Sequence, residues 1–290
     1  MKRPYILYGF SAAVCIGICV PLSKLLLTDM PPIFMAALLS LGAGVGMTAI
    51  NLLRKKRVVE KESRITNNEL PYMILMMVLD ITAPILMMFG LSVTQPATAS
   101  LLNNFEIVAT AVIALLFFKE AISKCTWLAV FLITFSSVIL SVDDFSDMRF
   151  SPGAFLIIGS CVCWGLENNV TRVLSPKDPV KIVMIKSIAS GFGSLVIAIL
   201  VGGVSLNIQY IAFALLLGFI VFGLSAALCI LTQRYLGASR TSAFLALAPF
   251  IGAGFSFIIF REKPAFMFFI ALIIMVFGAY LTVFGSSNTK

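Results

Sequence analysis

From Ala265 to Phe284 the chain runs for 20 residues without a charged side chain. At about 1.5 Å of rise per residue, such a helix crosses the ~30 Å of hydrocarbon in a bilayer. Comparable runs recur along all 290 residues, of which 60% are hydrophobic and 12% charged. A soluble domain of this length needs far more polar surface, about 25% charged residues, to face water. The runs are continuous, without the alternation of a membrane β-barrel, so the fold class expected is all-α integral membrane.

The pattern predicts ten transmembrane helices, at Tyr5–Leu27, Pro32–Leu53, Leu70–Leu91, Ala97–Phe118, Cys125–Val142, Pro152–Leu174, Val180–Val201, Tyr210–Leu231, Ser239–Phe260 and Ala265–Phe284. The first is read as an uncleaved helix, because its apolar stretch is too long for a signal peptide. Orientation follows from where Lys and Arg fall. With the N-terminus inside, Arg54-Lys55-Lys56-Arg57, Lys61, Arg64, Lys119, Lys124, Arg172, Lys177, Lys181, Arg234 and Arg240 are cytoplasmic. The acidic loop Asp143-Asp144-Phe145-Ser146-Asp147 is then outside. Both termini are expected in the cytoplasm of a multi-pass cell-membrane protein. The net charge of +8 contacts lipid head groups and calls for no nucleic acid.

The chain also repeats itself. Ala13-Val14-Cys15-Ile16-Gly17 aligns with Cys161-Val162-Cys163-Trp164-Gly165, which sets Lys24 against Arg172. Phe117-Phe118-Lys119-Glu120 aligns with Ile259-Phe260-Arg261-Glu262, which sets Ser100 against Ser242. The offsets are 165 − 17 = 148 and 262 − 120 = 142, and a longer basic loop after the second span absorbs the difference. Each copy holds five helices, so the second enters the membrane from the opposite side. Two inverted five-helix repeats, 1–148 and 149–290, are a transporter architecture with its solute site near the midplane.

The stretch Tyr235-Leu236-Gly237-Ala238-Ser239-Arg240-Thr241-Ser242-Ala243-Phe244-Leu245-Ala246-Leu247-Ala248-Pro249, followed by Phe260-Arg261-Glu262, resembles the EamA signature of the drug/metabolite transporter superfamily. A weaker copy runs from Thr98-Ala99-Ser100-Leu101-Leu102 through Glu106 to Lys119-Glu120, and Trp164-Gly165 resembles the family's helix-opening pair. The resemblance implies a ten-helix secondary transporter without an ATPase. Four helices of each repeat would surround a central cavity, with the fifth and tenth peripheral. The family's Glu-Pro pair is split here: Glu106-Ile107 keeps the acid, and Ala248-Pro249 keeps the proline.

Three carboxylates fall inside spans: Asp80, Glu106 and Glu167. An acid there costs about 2.5–3.5 kcal/mol and marks function when it faces the bundle interior. Asn103, Glu106 and Thr110 share a helix face, as do Trp164, Glu167, Asn168 and Thr171, and as do Met73, Met77, Asp80, Pro84 and Met87. The stripes nominate Asp80, Asn103, Glu106, Trp164, Glu167, Asn168 and Met77 as substrate-binding residues. Glu106 and Asp80 are the candidates for proton coupling. Glu167 has Arg172 or Lys186 as a possible ion partner. Asn104, Asn168 and Asn169 serve either the site or helix–helix hydrogen bonding. Pro84 and Pro249 are read as interrupting their spans, and Gly191, Gly193, Gly252 and Gly254 as points of close helix approach.

No metal site, cofactor or catalytic constellation is expected, so the chain is not read as an enzyme. The six cysteines read as small apolar residues within helices. Function is read as secondary active transport of small organic solutes (amino acids, metabolites or cationic drugs), with export by proton antiport. The alternatives are a nutrient importer or exchanger, and a non-transporting receptor or scaffold. Partners are the small-molecule solute, membrane lipids and protons, in a monomer or dimer.

Overall fold

The computed structural model describes residues 3–53, 70–119, 123–144, 149–173, 179–236, 241 and 244–287. The basic loop from 54 to 69 and most of the signature between 237 and 243 lie outside them. In chain order the elements are α1 (Arg3–Gly17), α2 (Cys19–Leu26), α3 (Pro32–Leu53), α4 (Leu70–Val93), α5 (Pro96–Leu102), α6 (Phe105–Phe118) and α7 (Lys124–Leu140). A short antiparallel ribbon follows, β1 (Val142–Asp144) on β2 (Arg149–Phe150). Then come α8 (Pro152–Val173), α9 (Pro179–Val201), α10 (Ile208–Gly218), a π-helical segment at Phe219–Leu224, α11 (Ser225–Leu236), α12 (Ala248–Phe260) and α13 (Phe266–Ser287).

Among the described residues, six stretches have the length and apolarity to cross a membrane: Tyr5–Leu26, Pro32–Leu53, Leu70–Val93, Pro96–Phe117, Val180–Val201 and Ile208–Cys229. Lys124–Leu140 and Ala248–Phe260 are apolar but shorter, and the described apolar part of the 22-residue α13 is Phe266–Thr282. Although α8 has 22 residues, it falls outside the six, because Trp164, Glu167, Asn168, Asn169 and Thr171 dilute its apolar character.

Several spans differ in detail from the sequence reading. The first is interrupted at Ile18 and the fourth at Asn103-Asn104. At the second break Asn104 N–H bonds to the Leu101 carbonyl and Glu106 N–H to the Asn103 carbonyl, both three residues back. Pro84 lies inside an unbroken α4. Pro249 opens α12 instead of interrupting a helix, at a position whose missing N–H costs nothing. The fifth span ends at Leu140, and Val142 belongs to the ribbon.

Packing is pairwise: α3 on α9, α4 on α8, α7 on α13, α1 on α11 and α12, α6 on α8, α5 on α12, α3 on α10, and α4 on α9. The α3–α10 crossing is made by reciprocal glycines. A Cβ on Gly42 would collide with the Leu215 carbonyl, and one on Gly218 with the Leu39 carbonyl. Three of the expected glycines also mark close approach, with a Cβ meeting Leu41 at 2.7 Å from Gly191, Ile81 at 2.5 Å from Gly193, and the Gly17 carbonyl at 2.8 Å from Gly252. Gly254 does not, having nothing within 4 Å.

Gly218→Val should therefore lower the unfolding temperature in detergent, at a cost of about 1–3 kcal/mol from overpacking. Gly254→Val should leave it near the parent value.

Candidate substrate cavity

A cavity of about 830 Å³ lies between the helices, within the ~300–1,000 Å³ range of small-molecule sites. It begins near mid-helix, beside Gly17, Ser100 and Gly252. From there it runs to Ala114, Val183 and Cys229, about a turn or two from the ends of α6, α9 and α11. Those helix ends share the side of the molecule from which α1 starts.

Its charged wall comes from α4, α6, α8 and α9. Lys186 Nζ stands 3.2 Å from an Asp80 carboxylate oxygen and 2.8 Å from Glu167 Oε1. The three side chains are 17%, 12% and 7% exposed respectively, so this is an ion triad largely out of water. Thr171 also donates to Glu167 Oε1, at 2.8 Å. Ser190 Oγ donates to the Asp80 carbonyl at 2.7 Å and fixes α9 against α4. Beside the triad, Asn168 Nδ2 donates to Glu106 Oε1 at 2.7 Å, with Thr110 Oγ1 at 3.3 Å. Asn169 Nδ2 donates to the Thr110 carbonyl at 3.1 Å, so two successive amides tie α8 to α6. The close approach of α8 to α6 runs over Gly165, whose Cβ would meet Ala109 at 2.6 Å.

Asp80, Asn103, Glu106, Trp164, Glu167 and Asn168 all line the cavity. Met77 is not among the lining residues. It packs with Met73 and Met76 against Val170 and Ile182, where α8 and α9 cover the first half of α4. Met87 is likewise core, 3% exposed. Asn104 borders the cavity but is 1% exposed and donates to the Leu101 carbonyl and to Met275 Sδ of α13. Lys186 is the site residue that sequence reasoning undervalued, naming it only as a partner for Glu167. The side chain of Arg172, the other partner considered, lies outside the described residues.

The opposite end is sealed. Lys24 Nζ donates to the carbonyls of Leu91, Ser92 and Thr94 at 2.6, 3.0 and 3.0 Å, capping the C-terminus of α4. Glu262 Oε2 accepts from Ala97 N–H at 3.4 Å, at the start of α5. Burial pushes the Glu262 carboxyl above its ordinary range, against the opposing pull of that N–H and of Lys24.

A cavity with a charged wall among membrane-length helices, reaching towards one side and closed at the other, is the arrangement of a membrane transporter. The chain belongs to the EamA-like transporter family, whose model matches residues 3–142 and 151–284, and thus to the drug/metabolite transporter superfamily. It is a multi-pass membrane protein. An uncharacterized transporter of Methanothermobacter thermautotrophicus is 30% identical over 93% of this chain and 83% of its own. A probable UDP-sugar transporter protein, SLC35A4 of Xenopus tropicalis, is 24% identical over 64% of this chain and 62% of its own. A solved structure, described only as the crystal structure of a protein, superposes over 100% of both chains at TM-score 0.69 and 16% identity, a likeness of fold alone.

Lys186→Met should leave Asp80 and Glu167 facing each other uncompensated and cost about 3–5 kcal/mol, the usual penalty for breaking a buried pair. Adding Asp80→Asn should recover part of that loss. A double-mutant cycle on thermal unfolding checks the coupling.

Proposed function

We propose that the protein is a secondary active transporter that exports small cationic or zwitterionic solutes across the cytoplasmic membrane by proton antiport. The observation that carries this reading is Glu106. It lies on a cavity open at one end, and its hydrogen-bond partner, Asn168, is neutral. A carboxylate cannot hold a proton and a solute cation together, so the two alternate at one site. Among the described residues the wall carries three acids and one base, which opposes a polyanionic solute of the UDP-sugar kind.

Alternating access is supported by the helix pairings. Exchanging each of the ten proposed spans with the one five places on turns α4–α8 into α11–α1, α6–α8 into α12–α1, and α4–α9 into the α10–α3 crossing. The pairs α3–α9, α5–α12 and α7–α13 map onto themselves. Lys119 and Arg261, 142 positions apart, both end their helices in the left-handed conformation, φ 53° and 50°. The double family match favours the same two units, 1–148 and 149–290. Asp80, Asn103, Glu106, Trp164, Glu167 and Asn168 are then the proposed solute site, and Glu106 with Asp80 the proton carriers. Met77 stands behind that site.

Two measurements test the reading. In proteoliposomes, Glu106→Gln, which fixes the neutral state, should keep the fold and abolish accumulation driven by a pH gradient. Accumulation with unchanged pH dependence would return Glu106 to a structural role.

For topology, a single cysteine at position 145 in a cysteine-free background should label from outside the cell, and one at position 56 should not. The reverse pattern defeats the proposed orientation.

A further inference from the structure

Building on the transport reading, we propose that the solute is an amphiphilic organic cation, one ammonium group on an apolar body. The cavity has two unlike walls. Among the described residues, its charge, Asp80, Glu106, Glu167 and Lys186, all comes from α4, α6, α8 and α9. The described lining residues from α1, α2, the π segment, α11 and α12 are uncharged, and Ile16, Val20, Phe222 and Pro249 give that side its apolar bulk.

The charged wall is itself divided. Lys186 is engaged by two carboxylates, so a solute anion would have to displace Glu167 at 2.8 Å or Asp80 at 3.2 Å to reach it. Glu106 is engaged by an amide alone, and the ion pairs on this wall among the described residues are those of Lys186. An incoming ammonium supplies the missing counter-ion in a setting where an unpaired charge is costly. Its apolar body then covers the facing wall. A zwitterion would bring its carboxylate to a surface holding three acids. A compact, strongly hydrated cation would leave the apolar wall unmatched.

Equilibrium binding to the purified protein in detergent tests this with four probes: benzyltrimethylammonium, tetramethylammonium, phenylalanine and benzenesulfonate. Benzyltrimethylammonium should bind at least tenfold more tightly than tetramethylammonium or phenylalanine, and benzenesulfonate should not compete. Glu106→Gln should weaken benzyltrimethylammonium at least tenfold. Phe222→Ala should weaken benzyltrimethylammonium more than tetramethylammonium and so narrow the gap between them. The proposal is overturned if phenylalanine or benzenesulfonate binds best, if the two cations bind equally, if Glu106→Gln has no effect, or if the folded protein binds no benzyltrimethylammonium. Counterflow of bound probe in proteoliposomes separates the two claims. Cation binding without flux sinks transport and keeps the site, whereas flux of phenylalanine in preference to the cation sinks only the solute class.

Discussion

Lys186 is a cation held away from water, and the rest of the cavity is arranged around that fact. Removing an ion from water costs several kcal/mol unless good partners surround it. Here the partners arrive from two other helices, Asp80 from α4 and Glu167 from α8. The triad therefore joins α4 to the consecutive helices α8 and α9 of the second half of the chain. It also sets α8, the long helix least suited to lipid, against α4 and α6. With α8 in place, Asn168 and Asn169 reach across to Glu106 and Thr110. The charged wall is one connected polar surface whose members hold one another.

The facing wall obeys a different constraint. Backbone groups released at a helix break cannot face lipid, because hydrocarbon offers no hydrogen bonds. The breaks in this chain border the cavity instead. Gly17 and Cys19 flank the one at Ile18, Asn103 and Asn104 form the second, Val221 and Phe222 belong to the π segment, and Leu245 and Ala246 precede α12. Two chemically unlike walls thus meet where the chain is least regular, which is where π segments and broken helices concentrate in transport proteins. Under the proposed transport reading, such breaks give each half-helix a pivot next to the proposed solute site.

Much of this was legible in the sequence. Glu106, Trp164, Glu167 and Asn168 line the cavity as their helical stripes required, because an acid or amide in an apolar run has few other places to go. Lys186 was harder. A lone lysine near a helix end is usually a snorkelling residue, and only tertiary packing brings positions 80, 167 and 186 together. Met77 was misplaced for a related reason. It shares a stripe with Asp80, but α8 and α9 close over that half of α4 and turn the stripe into core. The break at Asn103-Asn104 had no proline or glycine to announce it. Pro84, which did look like a break, sits in a continuous helix.

The sealed end sets the cost of changing state. Freeing Lys24 gives up three hydrogen bonds from a charged donor, each worth about 1.5–3 kcal/mol before water replaces them. That is too much for thermal motion alone if nothing closes elsewhere. Under the proposed inverted repeat, the 148 offset places Arg172 opposite Lys24, and the 142 offset places Glu120 opposite Glu262. In the sequence, each proposed unit thus carries a base on its first helix and an acid after its fourth. Under the proposed transport reading, contacts made elsewhere must offset this loss, so that a proton or ammonium at Glu106 has only the difference to supply.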